Sequence, residues 1–250
     1  MNAPPREERA RFQRSREFLR NRLSPNEALG LHVTIGVLVM ILGAWWFSEI
    51  ARDLGPTTSQ VALDQRVAAW FHEHTRPELT PFVHAVSWLG SVAALTVVSI
   101  CFAMIFIAKR AWNRLVALSV TMLGGAMLNV LLKHFFHRQR PVFENPLVTI
   151  ATFGFPSGHT MGATLLYGLL ALIALRFVRP MWKRIAIAAG AAVFIAVIGL
   201  TRIYLGAHFL TDVLAAIAIG SAWLAFAWTT AETFRKQRRS RAARSAHSAR

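Results

Sequence analysis

Cysteine is all but absent from this chain of 250 residues, Cys101 being the only one. No intrachain disulfide can close and no thiolate cluster can hold a metal. Acidic residues are also scarce, with 12 Asp and Glu against 28 Lys and Arg. The first thirty residues hold no apolar stretch bounded by small residues, so a cleaved secretory leader is not expected. Neither an internal repeat nor a second domain is visible. The resulting pI near 11.7 would indicate nucleic acid as partner if the chain were soluble, because clustered cations release counterions from phosphates. The rest of the composition excludes that reading: 54% of residues are hydrophobic and the mean hydropathy is +0.41.

The apolar residues are gathered into six runs, at roughly 31–51, 86–108, 113–136, 158–178, 185–203 and 208–230. Each approaches the ~20 residues that cross a bilayer's hydrocarbon. The expected fold is therefore all-α, a six-transmembrane-helix bundle. Between the first two runs, residues 53–85 mix Asp64, Glu73 and Glu78 with Val67, Trp70 and Phe71, which predicts an extra amphipathic helix lying at the interface with Trp70 at headgroup level. Three regions follow from this layout: a basic cytoplasmic arm at 1–30, a six-span domain at 31–230 and a basic cytoplasmic tail at 231–250.

Charge orients the bundle. The arm, the links around 109–114 and 176–184, and the tail together carry 21 of the 28 Lys and Arg residues. Cytoplasmic loops hold such an excess, facing anionic lipid headgroups. Both termini are expected in the cytoplasm of a bacterial inner membrane. The remaining cations, Arg52, Arg66, Arg76, Lys133, Arg138, Arg140 and Arg202, fall on the outer face.

Three stretches on that face carry chemistry. The first runs from Lys133 to Arg140-Pro141; seven residues are two helical turns, so Lys133 and Arg140 are expected on one side of a helix that Pro141 ends. The second is Pro156-Ser157-Gly158-His159, in which Ser157 suits an N-cap, Gly158 allows close backbone approach, and free helix-start amides attract an anion beside His159. The third runs from Thr201-Arg202 to His208 and Asp212, which stand four apart on one helix face. Asp212 can accept one ring N–H of His208 and leave the other nitrogen as nucleophile or base. Taken singly, each stretch also fits an ordinary structural role: snorkelling anchor, helix entry or helix cap.

Together, the order Lys-x6-Arg-Pro, Pro-Ser-Gly-His and Arg-x5-His-x3-Asp resembles the type 2 phosphatidic acid phosphatase superfamily, over residues 133–212 directly. Thr201 stands where that family often has Ser, and a hydroxyl is kept. The resemblance implies that Lys133, Arg140 and Arg202, with Ser157 and the Gly158 amide, hold phosphate oxygens. It further implies that His208 attacks phosphorus, Asp212 orients it and His159 protonates the leaving oxygen. No metal or other cofactor is implied, since cations and amides can supply the charge that phosphoryl transfer needs. His134, His137 and Arg138 lie inside the first stretch but outside its signature, and are expected at the mouth of the site or against headgroups; Glu144 receives no role.

A zinc hydrolase built on His159, His208 and Asp212 is the chemical rival, and the three neighbouring cations would repel its ion. A transporter is the rival from another class, but the charges sit at one membrane face and not at the midplane. The expected substrate is a lipid phosphate in the membrane, whether undecaprenyl pyrophosphate, phosphatidic acid or phosphatidylglycerophosphate, with a lipid phosphotransferase as the alternative. Nucleic acid is not expected as a partner, and the oligomeric state is not readable.

Overall fold

A computed structural model describes residues 31–55 and 58–248, so the arm at 1–30 lies outside the described residues. Among those described, the chain is all helix: α1 (Leu31–Arg52), α2 (Ser59–Glu73), α3 (Thr80–Trp88), α4 (Val92–Ala108), α5 (Trp112–Phe136), α6 (Gly158–Ala174), α7 (Met181–Tyr204) and α8 (Leu210–Ser248). Helices α1, α5, α7 and α8 are long and apolar enough to cross a membrane, and α3 with α4 makes a fifth if that bent pair is one span. Helix α6 is apolar but has only 17 residues, about 26 Å at 1.5 Å per residue.

Helix α6 is the core. Met161, Leu165, Leu166 and Leu169 are buried against Leu95 of α4, Leu118 of α5 and Ala216 and Leu224 of α8. Small residues let the neighbours close in: Gly125 of α5 lies against Leu165, and Gly220 of α8 against Thr164. The outward faces are the reverse of a soluble protein. Leu38 and Trp45 on α1, Ile100 on α4, Leu123 and Met127 on α5, and Ile185 and Val193 on α7 are exposed. Water would penalise such a girdle, whereas lipid tails accept it.

The second apolar run is not one straight helix. Helix α3 stops at Trp88, and Ser91 caps α4 by accepting the Ala94 amide at 3.2 Å, with a bend of 42° between the two axes. Hydropathy runs unbroken through this point, which is why composition alone reads a single span. The break has a packing reason at Gly90, where a Cβ would stand 2.6 Å from Ile198 and 3.3 Å from both Cβ and O of His159. The backbone is thereby pressed onto the entry of α6.

The interfacial segment also differs from expectation. It forms α2 and α3, and α2 is capped by Thr58, which accepts the Val61 amide. Trp70 is exposed as expected, stacked on His74. Asp64, however, is fully buried, because α2 turns that face onto α8. The tail at 231–250 continues α8 as helix to Ser248.

Gly90→Ala should reveal the cost of filling this contact. Overpacking by one methyl typically destabilises by about 1–3 kcal/mol, so the variant in detergent should melt several degrees below wild type. An unchanged melting temperature would mean that α3, α4 and α6 are not closely packed there.

Candidate active site

The site is assembled at one end of α5 and α6 and the start of α8. Helix α5 ends at Phe136, earlier than the Pro141 signal predicts, with His137 in the left-handed region (φ 47°) and its amide donating to Lys133 O at 3.1 Å. Lys133 therefore projects from the last helical turn, whereas Arg140 comes from the loop that follows. The two converge without sharing a helix face. His134 sits exposed beside Val130 O, and His137 packs edge-on against Phe153, so neither enters the cleft.

Backbone carbonyls hold the cations in place. Arg140 donates to Thr152 O at 2.6 Å, Phe153 O at 3.1 Å and Ala207 O at 2.6 Å, and to Thr152 Oγ1 at 3.0 Å. Lys133 Nζ donates to Phe153 O. Arg202 donates to Ser87 Oγ at 2.6 Å, yet its Nε, in a side chain only 4% exposed, has no partner. An orphaned guanidinium donor at a buried position is costly unless an acceptor arrives.

His208 lies in the loop between α7 and α8, fully buried. Its Nε2 is 3.0 Å from Arg140 Nη1, and its Nδ1 is 3.4 Å from Asp212 Oδ2. Arginine can only donate, so Nε2 is the acceptor and the ring proton sits on Nδ1, toward Asp212. Burial pushes the imidazole down to about 4, against the pull of Asp212, so it is neutral at physiological pH. Burial also lowers Arg140 from its ordinary value.

Ser157 caps α6 as predicted, its Oγ accepting from Thr160 Oγ1 at 3.0 Å and from the Thr160 amide, and its own amide donating to Asp212 O at 3.0 Å. It is fully buried, and the cleft beside it is lined instead by Gly158 and His159. The cations acting on the His159 ring are Arg202, Arg140 and Lys133. The eight residues singled out by spacing thus meet at one place: Lys133, Arg140, Gly158, His159 and His208 face the cleft, and Ser157, Arg202 and Asp212 stand behind them.

The cleft measures about 580 Å³ and does not stop at the polar end. It continues between α4, α5 and α6 past Asn129, Met122 and Leu118, toward Ile100 and Ala103. From Lys133 to Leu118 along α5 is about 22 Å, through a lining that is chiefly apolar.

One contributor was not expected from sequence. Arg138, assigned to the mouth of the site or to headgroups, is instead an internal bridge. It donates to Asp212 Oδ1 at 2.6 Å, to Asp64 Oδ2 at 2.6 Å and to Thr211 Oγ1 at 2.7 Å, with its guanidinium 4.8 Å from the Phe209 ring centroid. Asp64 in turn accepts the Thr211 amide at 3.0 Å and the Thr211 hydroxyl. The Phe209 amide donates to Asp212 Oδ2 at 2.9 Å, so both carboxylate oxygens of Asp212 are fixed before His208 is considered. The only trace in the sequence was an Arg two residues before the Arg140-Pro141 pair, and nothing local linked it to Asp64.

An apolar bundle that gathers three cations and a carboxylate-backed histidine at the end of an apolar cleft is a membrane protein built to handle a phosphate group. A family model of the PAP2 superfamily matches residues 114–236. Phosphatidylglycerophosphatase B of Bacillus subtilis (strain 168) is 35% identical over 150 residues, 58% of this chain and 71% of that protein. The crystal structure of a transmembrane PAP2 type phosphatidylglycerolphosphate phosphatase from Bacillus subtilis superposes with a TM-score of 0.68 at 27% identity, covering 75% of this chain and 93% of the other. That of Aquifex aeolicus LpxE superposes with a TM-score of 0.54 at 26% identity, covering 66% and 94%. The chain belongs to the PAP2 superfamily and is a membrane lipid phosphatase.

Asp64→Asn keeps the side-chain shape but leaves Arg138 with one balancing carboxylate. Breaking one side of a buried ionic network costs about 3–5 kcal/mol, so the variant should melt well below wild type. Because Asp64 does not line the cleft, kcat should fall by about ten- to a hundredfold through misplaced Asp212 and His208, with KM nearly unchanged. Wild-type melting and turnover would show the bridge to be dispensable.

Proposed function

We propose that this chain hydrolyses the terminal phosphate of a membrane lipid, phosphatidylglycerophosphate or a close relative, through a phosphohistidine on His208 and without a metal. The observation that carries this reading is the placement of His208, whose Nε2 lies 3.0 Å from Arg140 Nη1 while its Nδ1 faces Asp212 Oδ2 at 3.4 Å.

In the proposed cycle the phosphate oxygens take the donors of Lys133, Arg140 and Arg202 and the Gly158 amide at the start of α6. Nε2 of His208 attacks phosphorus in line as the P–O bond to the lipid breaks. The negative charge of the phosphate offsets the cations around His159, which lets that ring carry the proton given to the departing oxygen. Water then attacks the phosphohistidine, His159 takes the water's proton, and inorganic phosphate leaves. Asp212 stays ionised throughout and steadies the positive charge that develops on His208.

The donor set supports metal independence. Lys133 and Arg140 face the cleft, where they would repel a divalent cation and complement a phosphate. The apolar cleft between α4, α5 and α6 supports a lipid over a soluble phosphoester, since one acyl chain can lie along it while the headgroup reaches His208. The names of the Bacillus subtilis relatives favour phosphatidylglycerophosphate. Six spans are part of this proposal, with the bent α3–α4 pair as the second and α6 as a short fourth. So is the orientation, with both termini in the cytoplasm of a bacterial inner membrane and the cleft opening on the outer side.

Phosphate release by detergent-purified protein should be fastest with phosphatidylglycerophosphate in a panel that includes phosphatidic acid and undecaprenyl pyrophosphate, and should survive excess chelator. Activity abolished by EDTA and restored by zinc or magnesium would overturn the metal-free site. His159→Ala should harm monophosphate lipids more than pyrophosphate lipids, because a general acid matters most when the leaving oxygen is basic. Equal losses on both would remove His159 from that role. A reporter active only in the periplasm should stay silent when fused after Arg250, and a signal would reverse the orientation.

A further inference from the structure

The other end of the bundle holds a second, unrelated depression. The turn joining α4 to α5 folds against the end of α6 and the middle of α8 and encloses about 470 Å³. Lys109, Arg110, Arg114, Arg176 and Arg235 line it against a single lining carboxylate, Glu232. Glu232 is buried and already committed, pairing with Arg176 and, at 2.7 Å, with Arg235. Lys109, Arg110 and Arg114 form no ion pair among the described residues, so the depression keeps an excess of positive charge.

Two further features point to an anion carried by a lipid. The guanidinium of Arg114 lies 4.8 Å from the Phe177 ring centroid and that of Arg176 lies 4.4 Å from that of Trp228. Rings cover the guanidinium faces and leave N–H edges for a planar or tetrahedral acceptor. Trp112 is exposed at the same level, and exposed Val116 and Val120 follow it along α5, so an acyl chain can run directly from the depression onto the apolar girdle. Helix α5 has 25 residues, about 37 Å, which separates this site from Lys133 by roughly a bilayer's hydrocarbon thickness.

Arg110 supplies an independent sign. It closes α4 in the left-handed region with φ 50°, its amide on Ile107 O and the Ala111 amide on Phe106 O at 2.7 Å. Glycine takes that conformation without strain, and arginine does not. A turn selected only for its shape has no need of a guanidinium at this position.

We propose that this depression binds the phosphate of an anionic phospholipid headgroup in the leaflet opposite the catalytic cleft. The turn it grips joins α4 to α5, the two walls of that cleft, so the bound lipid holds the walls at their far end.

The test is native mass spectrometry on full-length protein in detergent, titrated separately with phosphatidylglycerol, phosphatidylcholine and inorganic phosphate, for wild type, Arg110→Gly and Arg114→Gln. Wild type should retain phosphatidylglycerol over phosphatidylcholine, and each variant should weaken that retention about tenfold, as expected for one lost charge-assisted contact. Arg110→Gly should melt at or above the wild-type temperature, and release of phosphate from a water-soluble phosphomonoester should be unchanged, so lost binding cannot be ascribed to unfolding. Wild-type retention of phosphatidylglycerol by both variants would overturn the site. Inorganic phosphate bound as tightly as the lipid, and lost in the same variants, would overturn the lipid as its ligand.

Discussion

Two cations, Lys133 and Arg140, facing one cleft with a third, Arg202, buried behind them are the constraint on which the rest depends. Lys133, Arg140 and Arg202 repel one another, and burial removes the water that would otherwise screen them. The fold meets this by turning carbonyls inward: Phe153 O for Lys133, and Thr152, Phe153 and Ala207 for Arg140. That requirement explains the loop between α5 and α6, which folds back so that Gly154 lies against Arg140 and Asp212 with almost no space for a side chain. Side chains complete the support, with Ser87 Oγ for Arg202 and Thr152 Oγ1 and His208 Nε2 for Arg140, and in the proposed cycle the substrate's phosphate adds counter-charge.

The negative side of the balance is just as specific. Asp212 is shared between Arg138 and His208, and Asp64 shares Arg138 from the other side. Asp64 thereby prevents Arg138 from adding a fourth uncompensated cation to the cluster. It also ties α2 to the start of α8 through Thr211. A helix that looks peripheral in the sequence is in this way part of the support for His208.

How far the sequence could be read follows from the range of each interaction. The N-cap at Ser157 and the pairing of His208 with Asp212 are local, three and four residues in reach, and both form, although His208 lies in the loop ahead of α8 and does not share a helix face with Asp212. The apolar runs mark α1, α5, α7 and α8 closely because span length is a property of composition. The bend at Gly90 has no local signal, since the residues packed against it, Ile198 and His159, lie far along the chain. The buried bridge of Asp64 and Arg138 has no local signal for the same reason, as their partners lie 74 and 147 positions away. Arg140 reached its predicted place by a different route, from a loop and not a helix, because the left-handed turn at His137 replaced the expected stop at Pro141.

The central claim is that His208 accepts the phosphoryl group while Asp212 and the three cations hold it in place. Quenching the enzyme in mid-turnover with alkaline detergent, on lipid labelled with radioactive phosphorus in the phosphate to be removed, should trap a base-stable, acid-labile label on the protein, located on His208 by peptide mapping at alkaline pH. The label should be absent from His208→Ala, whose turnover falls by several orders of magnitude, as when other enzymic nucleophiles are removed. Near-normal turnover in His208→Ala, or a label on another residue, would contradict the account.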